Sequence, residues 1–241
     1  MTTTPNNPNS RWIKIDTPAG SFDAYLSLPP AGKQPGGPGI VLVQEIFGVN
    51  EHIRSVADQY AADGYVVLAP DVFWRSQPHV ELGYTGPDWE KAMTLYKAVN
   101  LEDTLGDIAA TVSALRNEIG QGGKVAAVGF CFGGLTSFLS AARGLVDAAV
   151  PYYGGGIHNH LHEATALNVP VQFHYGAIDS HIPQEDVEKV RQAVAGKRGT
   201  EIFVYEQADH GFNCWARGSY NQRAAALAHG RALVFLANAL A

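Results

Sequence analysis

Residues 125–133 read Val-Ala-Ala-Val-Gly-Phe-Cys-Phe-Gly, and this run restricts the chain more than any other. An apolar stretch of strand character enters a Gly-x-Cys-x-Gly turn, and Leu135, Phe138 and Leu139 then follow on one helical face. A strand that turns so sharply into a helix strains its central residue. It also leaves no room for side chains two positions to either side, hence the two glycines. A cysteine held at the centre is displayed close to a helix N-terminus, where thiolate is favoured. A glycine-rich strand end with a buried, inert cysteine has the same five residues, so the rest of the chain must decide between them.

The 241 residues, 46% of them hydrophobic, suffice for one large α/β domain with a substantial core. A net charge of −6 and a pI near 5.8 argue against nucleic acid as a partner, because a phosphate-binding surface needs clustered Lys and Arg. Two cysteines, Cys131 and Cys214, make no secreted disulfide framework, and their separation does not decide whether they form a redox pair. The first ten residues lack the basic start and apolar core of a signal peptide, and no stretch reaches the roughly 20 apolar residues that span a bilayer. The expectation is a cytoplasmic protein without membrane or nucleic-acid partners, acting on a small molecule, and a monomer rather than an obligate oligomer.

Residues 1–9 read as a flexible arm, and 10–241 as a single domain. Trp12–Thr17 and Phe22–Leu28 alternate around Pro18-Ala19-Gly20 as a β-hairpin. A Pro/Gly loop at 29–39 leads into the buried strand Ile40–Val43. A helix follows with Ile53, Val56, Ala57, Tyr60 and Ala61 on one face, Asn50 as N-cap and Gly64 as stop. Tyr65–Ala69 is another strand, and 70–88 is irregular. Two helical stretches come next, the second with Leu101, Leu105, Ile108, Val112 and Leu115 on its face, ended by Gly120. After the cysteine turn, strands are expected at Ala148–Tyr153, Val171–Tyr175 and Ile202–Tyr205, with an alanine- and leucine-rich helix from about Tyr220. Alternating strands and helices predict an α/β fold, a mainly parallel sheet with helices on both faces.

A nucleophilic cysteine needs a base and an acid residue that orients the base. Asp179 follows the strand ending at Tyr175, and His210 follows the last strand. Both stand at strand C-terminal ends, where open parallel sheets place their sites. A turn-capping aspartate and a surface histidine are the ordinary alternatives. Asp209 is a poor orienting acid, because adjacent residues seldom fold back onto each other's imidazole. His181 is too near Asp179 to follow a separate strand, and His174 lies inside one.

With these residues the chain resembles the dienelactone hydrolase (carboxymethylenebutenolidase) family of α/β-hydrolases. The resemblance runs through Gln44-Glu45-Ile46-Phe47-Gly48, Ala69-Pro70-Asp71, Gly129-Phe130-Cys131-Phe132-Gly133-Gly134, Tyr152-Tyr153-Gly154, Gly176 with Asp179, and His210-Gly211-Phe212. It implies the α/β-hydrolase fold, a Cys131–His210–Asp179 triad, and an oxyanion hole from the backbone N–H groups of Ile46 and Phe132. It also implies that Glu45 contacts the resting thiol and moves on substrate binding, where the bland alternative is a glutamate capping the next helix. Arg75 matches one of two arginines that hold a substrate carboxylate. The second position is Cys214 here, with Arg217 nearby but out of place. The activity implied is hydrolysis of a lactone or ester without metal or organic cofactor. A carboxylesterase or thioesterase acting on uncharged substrates, and a non-hydrolytic thiol sensor, are the alternatives. His158-x-His160-x-His162 reads as a polar loop more readily than as a metal site, and Trp74, Tyr84 and Trp89 as pocket lining or core.

Overall fold

The computed structural model describes residues 8–30, 37–120 and 122–241. Most of the arm expected at 1–9, and the middle of the 29–39 loop, lie outside the described residues. The chain divides into two compact units after Val125.

In the first unit, β1 (Ser10–Thr17) and β2 (Gly20–Ser27) form the expected antiparallel hairpin, with Thr17 opposite Gly20. β2 pairs antiparallel with β4 (Val66–Pro70), and β4 pairs in parallel with β3 (Gly39–Val43). Every residue of β3 and β4 is buried, as unbroken apolar runs require of strands covered on both faces. α1 (Glu51–Ala62) begins where Asn50 Oδ1 accepts the Ile53 N–H at 3.3 Å, and stops before Gly64 at φ +109°. Asp58 of α1 accepts hydrogen bonds from the Ser10 and Ser27 hydroxyls, both at 2.7 Å, which ties the hairpin to the helix. α2 (Pro87–Ala98) and α3 (Leu101–Ile119) complete the unit, and α3 buries Leu105, Ile108, Val112 and Leu115 as their spacing predicts.

In the second unit, β5 (Val125–Phe130), β6 (Ala148–Tyr152), β7 (Val171–Gly176) and β8 (Thr200–Tyr205) lie side by side in chain order, all parallel. α4 (Phe132–Ala142) packs on β6, and α6 (Gln222–Ala239) on β6 and β7. α5 (Gln184–Ala193) is a helix that the sequence reading does not predict, because Val187 and Val190 alone supply its buried face. Two 3-10 turns, Ile157–Asn159 and Leu161–Ala166, fill the β6–β7 connection.

His174, inside β7, is fully buried. Its Nδ1 lies 2.8 Å from the Tyr205 hydroxyl and its Nε2 2.9 Å from Gln172 Oε1. Burial pushes its pKa down to about 3, so it is a neutral structural group. No helix among the described residues is long and apolar enough to cross a membrane.

Candidate active site

The loops after β5, β7 and β8 carry Cys131, Asp179 and His210. Cys131 stands at φ +55° and ψ −113°, between the last residue of β5 and the first of α4. Such a conformation is uncommon for a residue with a side chain and persists only where its surroundings enforce it. They do so by crowding. A Cβ on Gly129 would lie 2.0 Å from the Gly133 carbonyl oxygen, and one on Gly134 would lie 2.6 Å from the Tyr152 carbonyl oxygen. The Cys131 N–H donates to that Tyr152 carbonyl at 3.0 Å, fastening the turn to β6. Cys131 itself is only half-buried.

Asp179 is oriented by the backbone that follows it. Asp179 Oδ1 accepts the N–H groups of His181 at 2.8 Å and Ile182 at 2.9 Å, which directs Oδ2 toward His210 Nδ1, 2.9 Å away. One carboxylate therefore shapes the turn and holds the imidazole. The ring also hydrogen-bonds Cys131. Tyr153, itself at φ +35°, packs edge-on to His210 at 5.1 Å, and His181 does so at 4.9 Å. Burial alone favours the neutral imidazole. Attraction to Cys131, with the hydrogen bonds to Asp179 and Cys131, outweighs burial and raises the His210 pKa to about 10. His181 moves the opposite way, lowered by burial and then by repulsion from His210.

Asp209 has a role that the sequence reading misses. Its Oδ1 accepts the backbone N–H of Ser180 at 2.9 Å and that of His210 at 2.6 Å. It braces the loop of Asp179 against the loop of His210 without touching the imidazole nitrogens. Burial raises the Asp209 pKa, but the two backbone hydrogen bonds prevail and hold it below the usual carboxylate value. A depressed pKa adds stability above the unfolded-state value, and that stability is lost as pH falls through the folded-state value. Asp209→Ala should therefore melt below wild type at neutral pH, with the gap closing as the carboxylate range is crossed. It should also lose roughly ten- to hundred-fold in kcat/KM, because the base is no longer fixed relative to its acid. Melting scans and ester hydrolysis across pH check both parts.

The remaining predicted residues are placed as follows. Glu45 and Ile46 follow the C-terminal end of β3 and are buried, and the Gln44 side-chain amide donates to the Glu45 carbonyl at 3.2 Å. Phe132 is the first residue of α4, at the positive end of the helix dipole. Arg75 makes a two-pronged ion pair with the buried Asp107, which also accepts the Trp74 indole N–H at 2.8 Å. Trp74 stacks on Phe22, while Tyr84 and Trp89 pack on Phe47. Cys214 is fully buried, and no disulfide joins it to Cys131. Arg217 reaches back over Gly211, where an added Cβ would lie 2.6 Å from the guanidinium carbon. His158 and His162 fall in separate 3-10 turns, with His158 Nδ1 3.4 Å from Asp186. Among the described residues no group of three His, Cys, Asp or Glu side chains is arranged to hold a metal ion.

A half-buried thiol bonded to an imidazole, itself bonded to a buried carboxylate, is the arrangement for nucleophilic attack on a carbonyl. A profile described as the dienelactone hydrolase family matches residues 22–240. A carboxymethylenebutenolidase of Pseudomonas putida is 35% identical over 218 residues, covering 90% of this chain and 91% of that protein. Carboxymethylenebutenolidase 1 of Cupriavidus pinatubonensis is 30% identical over 219 residues, covering 90% and 92%. The crystal structure of a candidate dienelactone hydrolase from Klebsiella pneumoniae superposes with a TM-score of 0.83 at 32% identity, covering 95% of this chain and 98% of that one.

Proposed function

Because this chain belongs to the dienelactone hydrolase family, we propose that it hydrolyses a lactone or ester by acyl transfer to Cys131. It is a hydrolase with the α/β-hydrolase fold. The observation that carries the nucleophile assignment is the single imidazole of His210, bonded on one side to Asp179 and on the other to a strained Cys131.

In the proposed reaction the Cys131 thiol passes its proton to His210, the sulfur attacks the carbonyl carbon, and the C=O electron pair moves onto oxygen. The Phe132 N–H, at the positive end of α4, stabilises that oxyanion. The tetrahedral species collapses, the C–O bond breaks, and the leaving oxygen takes the proton held by His210. His210, now neutral and held by Asp179, removes a proton from water as it attacks the thioester, and the sulfur departs. No metal or organic cofactor enters these steps. The roles that the resemblance gives Glu45 and Ile46 are part of this proposal. Mass spectrometry of the protein mixed with a panel of lactones and esters should find an acyl adduct on Cys131. Hydrolysis without any adduct on that residue removes the mechanism.

A second reading, an esterase or thioesterase for uncharged substrates, is supported by Arg75. Both oxygens of Asp107 occupy its fork, the geometry with which a substrate carboxylate would be bound. Turnover of a carboxylated dienelactone and of uncharged aryl esters by wild type, Arg75→Gln and Arg217→Gln separates the readings. Selective loss on the charged substrate supports the lactone. Turnover of the uncharged esters alone, indifferent to both arginines, supports the second.

A further inference from the structure

α6 is apolar on two sides, and the chain covers one of them. Its inner side, with Ala224, Ala228, Ala232, Phe235 and Leu236, is buried. Its outer side presents Leu227, Gly230, Val234 and Ala237, all exposed, Leu227 at 44% and Val234 at 65%. These positions alternate between three- and four-residue steps, the spacing of a coiled-coil seam. A helix facing water normally carries charge on that side, and this seam has none after Arg223. Arg231 lies off the seam, its guanidinium 4.1 Å from the centre of the Phe203 ring. Beside the seam runs a groove of about 660 Å³ between α6 and β8, walled mainly by Pro170, Phe203, Leu227, Val234 and Phe235, with Glu201 and Arg231 also on its lining. β8 is the last strand in the order, and among the described residues it pairs only with β7.

Charge indicates what fits this face. A helix is positive at its N-terminus and negative at its C-terminus. α6 is charged against its own dipole: Arg223 sits in its first turn with no acidic residue there, and its last turn has no basic residue. A second α6 laid antiparallel corrects both ends at once, because Arg223 of each copy meets Ala237 and the terminal carbonyls of the other. The same alignment sets Leu227 against Val234 and Gly230 against Gly230, so the axes approach closely at the centre. A seam that complements itself in shape and in charge is what a two-fold interface between identical chains requires. We propose that the α6–β8 face is the interface of a homodimer, with α6 packed antiparallel on α6 of a second copy.

Sedimentation equilibrium of the full chain between about 1 and 100 μM should show a monomer–dimer equilibrium. Val234→Glu places two facing charges in the seam and should raise the dimer dissociation constant about hundred-fold or more. Arg223→Glu should raise it about ten-fold without lowering the melting temperature of the dilute protein, since glutamate suits a helix N-terminus. Gly230→Cys should form a disulfide-linked dimer under mild oxidant, where wild type and Gln222→Cys do not. These side chains are exposed, so the variants should keep wild-type circular dichroism and ester hydrolysis. A wild type that sediments as a monomer throughout, or a dimer indifferent to Val234→Glu, overturns the proposal.

Discussion

Cys131→Ala is expected to lower kcat/KM for any ester or lactone that the protein hydrolyses by about ten-thousand-fold or more. His210→Ala should cost a similar factor, and the double variant little beyond either. In the proposed mechanism one imidazole serves the sulfur and the carboxylate together, so the three groups would act as a unit and their losses would not add. A second readout separates this from a general loss of structure. In wild type the His210 pKa is raised to about 10, with Cys131 the leading cause opposing burial. Without the sulfur, burial should bring the titration down, which the imidazole proton resonances of His210 report directly. The consequence for stability has a definite sign. A histidine whose pKa is raised on folding stabilises the fold fully below its unfolded value, near 6.5, and the gain is lost as pH rises through the folded value. Wild type should therefore lose melting temperature between neutral pH and about pH 10, whereas Cys131→Ala should lose much less. A variant that hydrolyses esters normally, or leaves the His210 titration unmoved, rejects Cys131 as nucleophile.

What the sequence makes legible here is whatever is enforced locally. Gly129 announces the turn because its crowding, against the Gly133 carbonyl and Ser137, acts within a few residues of Cys131. That Asp179 and His210 come together is legible because parallel strands end in loops on one edge. Interactions between distant positions are not. Asp107 is an unmarked residue in α3 until the fold brings Trp74 and Arg75 onto it. Asp209 acts through the N–H of Ser180, a group that every residue but proline possesses, so its identity as a brace leaves no pattern. α5 is missed for want of apolar residues and α6 is read incompletely for having too many. An alanine- and leucine-rich segment declares a helix, but only the fold shows that Leu227 and Val234 remain outside.

Gly129→Ala should destabilise the protein by about 3 kcal/mol or more, the larger stability effect expected of any single added methyl group in the elbow. Gly129 is not at positive φ, so the cost is steric rather than conformational. The new Cβ would lie 2.0 Å from the Gly133 oxygen, 2.3 Å from its carbonyl carbon and 2.5 Å from Ser137 Oγ. The Ser137 hydroxyl can swing aside, but the Gly133 carbonyl cannot. It belongs to the first turn of α4, accepts the Thr136 hydroxyl at 3.1 Å, and adjoins Gly134, whose N–H is bound to the Cys131 carbonyl at 2.9 Å. Room for the methyl group comes only by lifting the start of α4 from β5. That movement carries Cys131 away from His210, so activity should fall along with a drop of about 10 °C in melting temperature. Gly106→Ala in α3 supplies the opposite sign. That glycine is exposed inside a helix, an added Cβ meets nothing within 4 Å, and alanine should stabilise by up to about 1 kcal/mol. Thermal melts and ester hydrolysis of the two variants decide the point. A Gly129→Ala protein that melts and turns over like wild type means that β5 and α4 do not meet at the distance that makes Cys131 a displayed nucleophile.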